Sequence, residues 1–122
     1  MCKKSKMSDK NLTADFALRF GADLDLAEGV VVRPINFPSE PPPPPFKSTI
    51  FVVRPGCSTP LDHHEEAEMW VILNGAGLLK YQGVQSRAAQ FDKFFFPPFT
   101  HHQVFNDSAI PLEILSIYWL TS

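Results

Sequence analysis

The sequence predicts an all-β domain, an antiparallel sandwich or barrel, and two observations carry that expectation. From residue 29 onward, β-branched and aromatic runs recur at short intervals, each closed by Gly, Pro, Asn or Asp, which is how strands joined by tight turns read. No segment of that stretch keeps a convincing helical period, so an antiparallel arrangement without packed crossover helices is left.

The first element is the exception. "SDKNLTADFALRFG" predicts a short helix capped at Ser8 or Thr13 and ended by Gly21, although Asn and Thr are weak helix-interior residues. Residues 1–28 are accordingly expected to be an N-terminal extension, partly disordered or briefly helical, and residues 29–122 a single domain. "GVVVRPINF" opens the strand series and is expected to join the sheet or swap onto a second subunit.

Pro41 to Pro45 then form an unbroken proline tract. Lacking backbone donors and favouring polyproline II, it cannot be an interior strand. It reads as a stiff surface connection, with docking to a proline-recognising module as the alternative. "STIFVVRP", "AEMWVILNG", "GLLKYQG", "VQSRAA", "KFFFPP", "HHQVFND" and "LEILSIYWL" follow as strands, and Gly56, Gly75, Gly77 and Gly83 fall where the turns between them need positive φ or close backbone approach.

The 122 residues are 44% hydrophobic and include 11 Phe, 2 Trp and 2 Tyr, enough for one core. A net charge of −2 without a basic stripe or acidic tail excludes nucleic acid as a partner. No run approaches the ~18 uninterrupted apolar residues of a membrane span. Cys2 and Cys57 make neither a disulfide framework nor a CxxC site, so the expected location is the reducing cytoplasm.

The chemistry concentrates in two places. All 4 histidines occur as adjacent pairs, His63-His64 and His101-His102, on separate expected strands. The first pair sits in "DHHEEAE", directly before an apolar strand. Imidazole and carboxylate together suit Zn, Fe, Mn or Ni, and two strands meeting inside a barrel can converge on one divalent ion. The strand period places Asp62, His64 and Glu68 on one face and His63 on the other, unless a bulge at "DHH" brings His63 inward instead.

These residues resemble the cupin family of small barrels. Its first motif is Gly, five residues, His, one residue, His, three or four residues, Glu, six residues, Gly; here Gly56, Asp62, His64, Glu68 and Gly75 keep that spacing, with Asp62 in place of the first histidine. Its second motif is Gly, five residues, Pro, one residue, Gly, two residues, His, three residues, Asn; Pro97, His102 and Asn106 match, while Phe91 and Phe99 replace the glycines. The likeness covers roughly residues 47 to 120. It implies an antiparallel double-stranded β-helix, or jelly-roll barrel, and one divalent metal ion held by His64, Glu68 and His102, with Asp62 as a fourth ligand or as a base. Exchanging a histidine for Asp62 as a ligand would cancel the residual positive charge of a divalent ion and make it a weaker Lewis acid; without Asp62, a facial triad remains, with positions open.

Other residues have plainer readings. His101 is expected to be an ordinary exposed residue, Glu65 and Glu66 a solvated loop, and Arg54 and Arg87 solvated rather than anion-binding. Among the aromatics, Trp70 and Phe99 are the candidate pocket contacts. The resulting expectation is a metal-dependent enzyme acting on a small molecule, by oxygenation, isomerisation, cyclisation or another tailoring reaction. Its alternative is a non-catalytic barrel that binds or senses a small ligand. The resemblance further implies a homodimer paired through sheets, with outward residues of "EILSIYWL" as candidates for the interface.

Overall fold

The computed structural model of the protein describes residues 16–121. Ten strands run in sequence: β1 (Arg19–Phe20), β2 (Leu24–Ala27), β3 (Val30–Asn36), β4 (Lys47–Val53), β5 (Ala67–Asn74), β6 (Ala76–Tyr81), β7 (Val84–Ala89), β8 (Lys93–Phe96), β9 (His102–Phe105) and β10 (Leu112–Trp119). All the registered pairings are antiparallel. Among the described residues no helix is long and apolar enough to cross a membrane.

One sheet has seven strands in the order β1-β3-β4-β10-β5-β8, with β2 also on β3; the other has three, β7-β6-β9. Their facing sides share one core: Val30, Phe51, Val53, Trp70, Ile72, Leu112 and Ile114 from the larger sheet meet Leu79, Ala88 and Val104 from the smaller. Period-2 alternation selects these residues, as β10 shows by burying Leu112, Ile114 and Ser116 and leaving Glu113, Leu115 and Ile117 half-exposed. Isolated bridges, Ser58 to Phe105 and Asp62 to His102, tie the segment before β5 to β9.

The expected strands from "GVVVRPINF" to "EILSIYWL" are all present. The expected N-terminal helix is not found where it can be described: residues 16–18 are turn or irregular, residues 19–20 and 24–27 are strands on β3, and residues 8–15 of that reading, with Ser8 and Thr13, lie outside the described residues. Free backbone groups at the edge of β3 outweigh the weak helical propensity of this segment. The proline tract is the surface connection expected, with Phe37 and Phe46 packed edge to face at its base, ring centroids 5.7 Å apart.

Gln82 and Gly83 join β6 to β7 with φ of 49° and 80°, a two-residue turn with both φ positive. Gly77 has a different reason: a Cβ there would stand 2.7 Å from the carbonyl oxygen of Phe105. Asn106, the last residue of the second motif, is fully buried, donates from Nδ2 to the carbonyls of Val53 and Ile110, and accepts at Oδ1 from the amide and hydroxyl of Ser108. It is a staple for the turn between β9 and β10.

Candidate metal centre

Asp62 and His102 exchange backbone hydrogen bonds in both directions, at 3.1 and 3.0 Å. That register sets the two histidine pairs opposite one another. His63 and His101 stack on the outside, ring centroids 4.6 Å apart, and both are exposed. His64 and His102 meet edge to face on the inside, 5.4 Å apart. The alternation expected of Asp62, His64 and Glu68 therefore holds, and no bulge turns His63 inward.

Glu68 stands between the inner imidazoles. Its Oε1 is 3.0 Å from Nε2 of His64 and 3.0 Å from Nε2 of His102. Its Oε2 accepts from the Trp70 indole at 2.8 Å and from the Ser116 hydroxyl. At the far side of each ring, Nδ1 faces a backbone carbonyl: Glu66 at 2.9 Å from His64, and Thr100 at 3.2 Å from His102. A carbonyl only accepts, so each Nδ1 carries its proton there; toward Glu68 Oε1 each Nε2 presents an N–H when the ring is protonated, and a lone pair open to a cation when it is neutral. Asp62 Oδ2 lies 3.9 Å from His64 Nε2, and Asp62, His64 and His102 each offer a ligand atom within 4.8 Å of the others.

Two imidazole nitrogens and a carboxylate oxygen this close can share an ion whose own bonds run about 2.0–2.2 Å, and the donor types suit Zn, Fe, Mn or Ni. The residues present fit a divalent metal. Burial opposes ionisation of Glu68, but hydrogen bonds from His102, Ser116 and Trp70 and the His102 charge outweigh it and lower its pKa to about 2. Burial lowers the pKa of His64, yet the charge of Glu68, the bonds to Glu66 and Glu68 and the charge of Asp62 raise it overall. Burial first, then the charges of Glu66 and Glu68, push the Tyr118 phenol up, so it remains a hydroxyl donor.

These groups open into a cavity of about 330 Å³. Asp62, His64, Glu68, Trp70 and His102 line it as expected; Phe99 does not, being 64% exposed with its amide bonded to the His64 carbonyl. The reason is backbone conformation: Phe99 has φ of 64°, which turns its side chain away from the cavity. Glu66, read as solvated loop, lines the cavity instead, while Glu65 is exposed. Arg87 is bound through both terminal nitrogens to Asp107, at 2.6 and 3.0 Å. Cys57 is a free thiol packed beside Gly29.

Tyr118, one of the aromatics of which part was expected in the pocket, also lines the cavity, whereas Ser116, Thr49 and Leu26 escaped the sequence reading. The serine left a signal, a polar residue at an inward position of the apolar β10. Leu26 left none, because the short β2 has no pattern of its own.

The cupin domain profile Cupin_2 matches residues 49–118. Mannose-1-phosphate guanylyltransferases from Klebsiella pneumoniae and Escherichia coli are each 36% identical over 75 residues, 61% of this chain, and the chain spans only 16% of their length. A Cupin 2 conserved barrel domain protein from Salinispora arenicola superposes with a TM-score of 0.70 at 22% identity, over 99% of this chain and 92% of that one. An RmlC-like cupin from Shewanella frigidimarina gives 0.68 at 16% identity, over 87% and 90%. Two facing antiparallel sheets, both motifs in order and a domain match spanning β4 to β10 lead to one assignment: the chain belongs to the cupin domain family.

Proposed function

We infer that the protein is a metal-dependent enzyme acting on a small molecule in the barrel cavity, with the ion held by His64, Glu68 and His102 and with Asp62 as fourth ligand or base. One observation carries this reading: both inner imidazoles have Nδ1 committed to a backbone carbonyl and Nε2 directed at the same carboxylate oxygen. A bound divalent ion would supply Lewis-acid activation, or, if redox-active, oxygen chemistry. The chain's own residues do the rest. Ser116 and Trp70 fix the rotamer of Glu68, and the carbonyls of Glu66 and Thr100 fix both ring tautomers. Asp62, with its side chain 59% exposed, stands at the open side of the cavity, where a base can exchange protons with water. Oxygenase, isomerase and cyclase chemistry are all compatible with this site, because one fold hosts many reactions.

The deciding experiment is elemental mass spectrometry on protein purified without tag or chelator, beside a His64→Ala, His102→Ala double variant. Near-stoichiometric iron, zinc, manganese or nickel, lost in the variant, supports the reading. No metal in either sample and no uptake on reconstitution overturns it.

The second reading, a non-catalytic binding or sensing barrel, is favoured by a specific observation: Glu68 is already fully engaged by protein donors, and among the described residues no buried side-chain polar atom lacks a partner. In that case His64→Ala changes ligand affinity without abolishing any turnover. Under either reading the working unit we propose is a homodimer.

A further inference from the structure

Apart from its two imidazoles, the cavity is lined by charge of one sign. Asp62, Glu66 and Glu68 bring carboxylates to it, and among the described residues that line it there is no lysine or arginine. Glu68 is committed at the floor to His64, His102, Trp70 and Ser116. Asp62 and Glu66 stand nearer the opening, their side chains 59% and 29% exposed, and retain acceptor capacity. Arg87 and Arg33 are held by Asp107 and Asp23, and neither is part of this lining.

The imidazoles of His64 and His102 also line it, but their ring nitrogens are turned to Glu68 and to the carbonyls of Glu66 and Thr100, so an anion entering this space gives up its hydration and meets no uncommitted protein cation. One anionic group could be taken by a bound metal; a second would have no partner. A hydroxyl or ammonium group instead finds Asp62 and Glu66 as acceptors. The lining also has an apolar part, formed by Val32, Phe51 and Trp70, with the two rings edge to face at 5.2 Å. At about 330 Å³ the cavity is larger than the ~150 Å³ that accommodates benzene in an apolar site. A single ring with a short polar tail fits both the volume and the mixed lining.

We propose that this cavity selects a small uncharged or cationic molecule with a ring-sized apolar body and a hydroxyl or amine tail, and discriminates against phosphates and dicarboxylates. The proposal rests on the reading of the cavity as a small-molecule site and names the substrate class for it. It is tested on the metal-free chain, where the asymmetry of charge belongs to the protein's own side chains.

The test titrates the full chain, metal-free and in mildly alkaline buffer, with phenethylamine, phenethyl alcohol, hydrocinnamate and phenyl phosphate, following the Trp70 indole N–H by NMR. Phenethylamine and phenethyl alcohol should bind at least tenfold more tightly than the two anions, and Glu66→Gln should cut the amine's affinity several-fold relative to that of the alcohol. Anions binding as tightly as the amine overturn the proposal, as does a Trp70 signal that none of the four probes moves at millimolar concentration. Failure of the metal reading shows separately, as absence of metal uptake by the protein alone.

Discussion

Phe91 and Phe99 occupy the positions where the second cupin motif has glycine, and both keep the glycine conformation, with φ of 73° and 64°. The left-handed region costs a residue with a Cβ about 1–2 kcal/mol, and with side chains 66% and 64% exposed these phenylalanines recover little by burial. Phe99→Gly should therefore be more stable than Phe99→Ala by about 1 kcal/mol in urea unfolding, the reverse of the usual order at strand and helix positions. Equal stability of the two variants would show that the strain is not there. Glu68 makes a second residue-scale prediction. Its folded pKa of about 2 lies below the unfolded value of 4.5, so its contribution to the metal-free protein is complete above pH 4.5 and is lost as pH falls toward 2. His64 has the opposite sign: its raised pKa contributes stability that is present below 6.5 and lost as pH rises through the folded value. The metal-free protein should be most stable between those limits, and Glu68→Gln should flatten the acid limb of a plot of unfolding midpoint against pH. An acid limb unchanged in that variant would place the titration elsewhere. The proposed ligand residues were legible because they keep the spacing of the two cupin motifs. Glu66 lies in the same even-numbered series and was missed because its place beside Glu65, ahead of the apolar strand, reads as solvated loop.

At the scale of elements, the connection between β3 and β4 separates structure from docking. Pro41, Pro42, Pro43 and Pro45 are exposed, and the aromatic pair Phe37 and Phe46 already closes the base of the loop. Deleting residues 41 to 45 should shift the unfolding midpoint by no more than about 1 kcal/mol equivalent and leave metal content unchanged, because shortening an exposed loop has little closure cost. A large loss of stability would mean that the tract packs as part of the domain. The strands on either side were legible because each has one face patterned by the core. Strands β1 and β2 were not: "RF" and "LDLA" have burial patterns that are exposed almost throughout, and pairing to β3, a non-local event, makes them strands. The same short segment delivers Leu26 to the cavity, so the part of the site it supplies was hidden with it.

For the whole molecule, the outer face of the large sheet poses a question that the inner face does not. Strands β4, β10 and β5 are apolar on both sides, a pattern typical of strands covered on both faces. The register aligns Ile50, Leu115 and Val71 in one row across the sheet, ended by Arg33 on β3 and Lys93 on β8. A neighbouring row brings Ile117 beside Met69 and Phe95, and the Phe95 ring stacks on Trp119 at 6.2 Å. An apolar centre with charged ends is the anatomy of a protein interface. A second copy of the chain brings the same surface, and pairing about a twofold axis covers both at once. The protein should sediment as a dimer at micromolar concentration, and Leu115→Lys with Ile117→Lys should make it a monomer. Both side chains are already half-exposed in the single chain, so the lysines can reach water without disturbing the inner face, and metal content and cavity binding should survive in the monomer. A wild-type chain that sediments as a monomer would remove the dimer and leave this face in need of another cover.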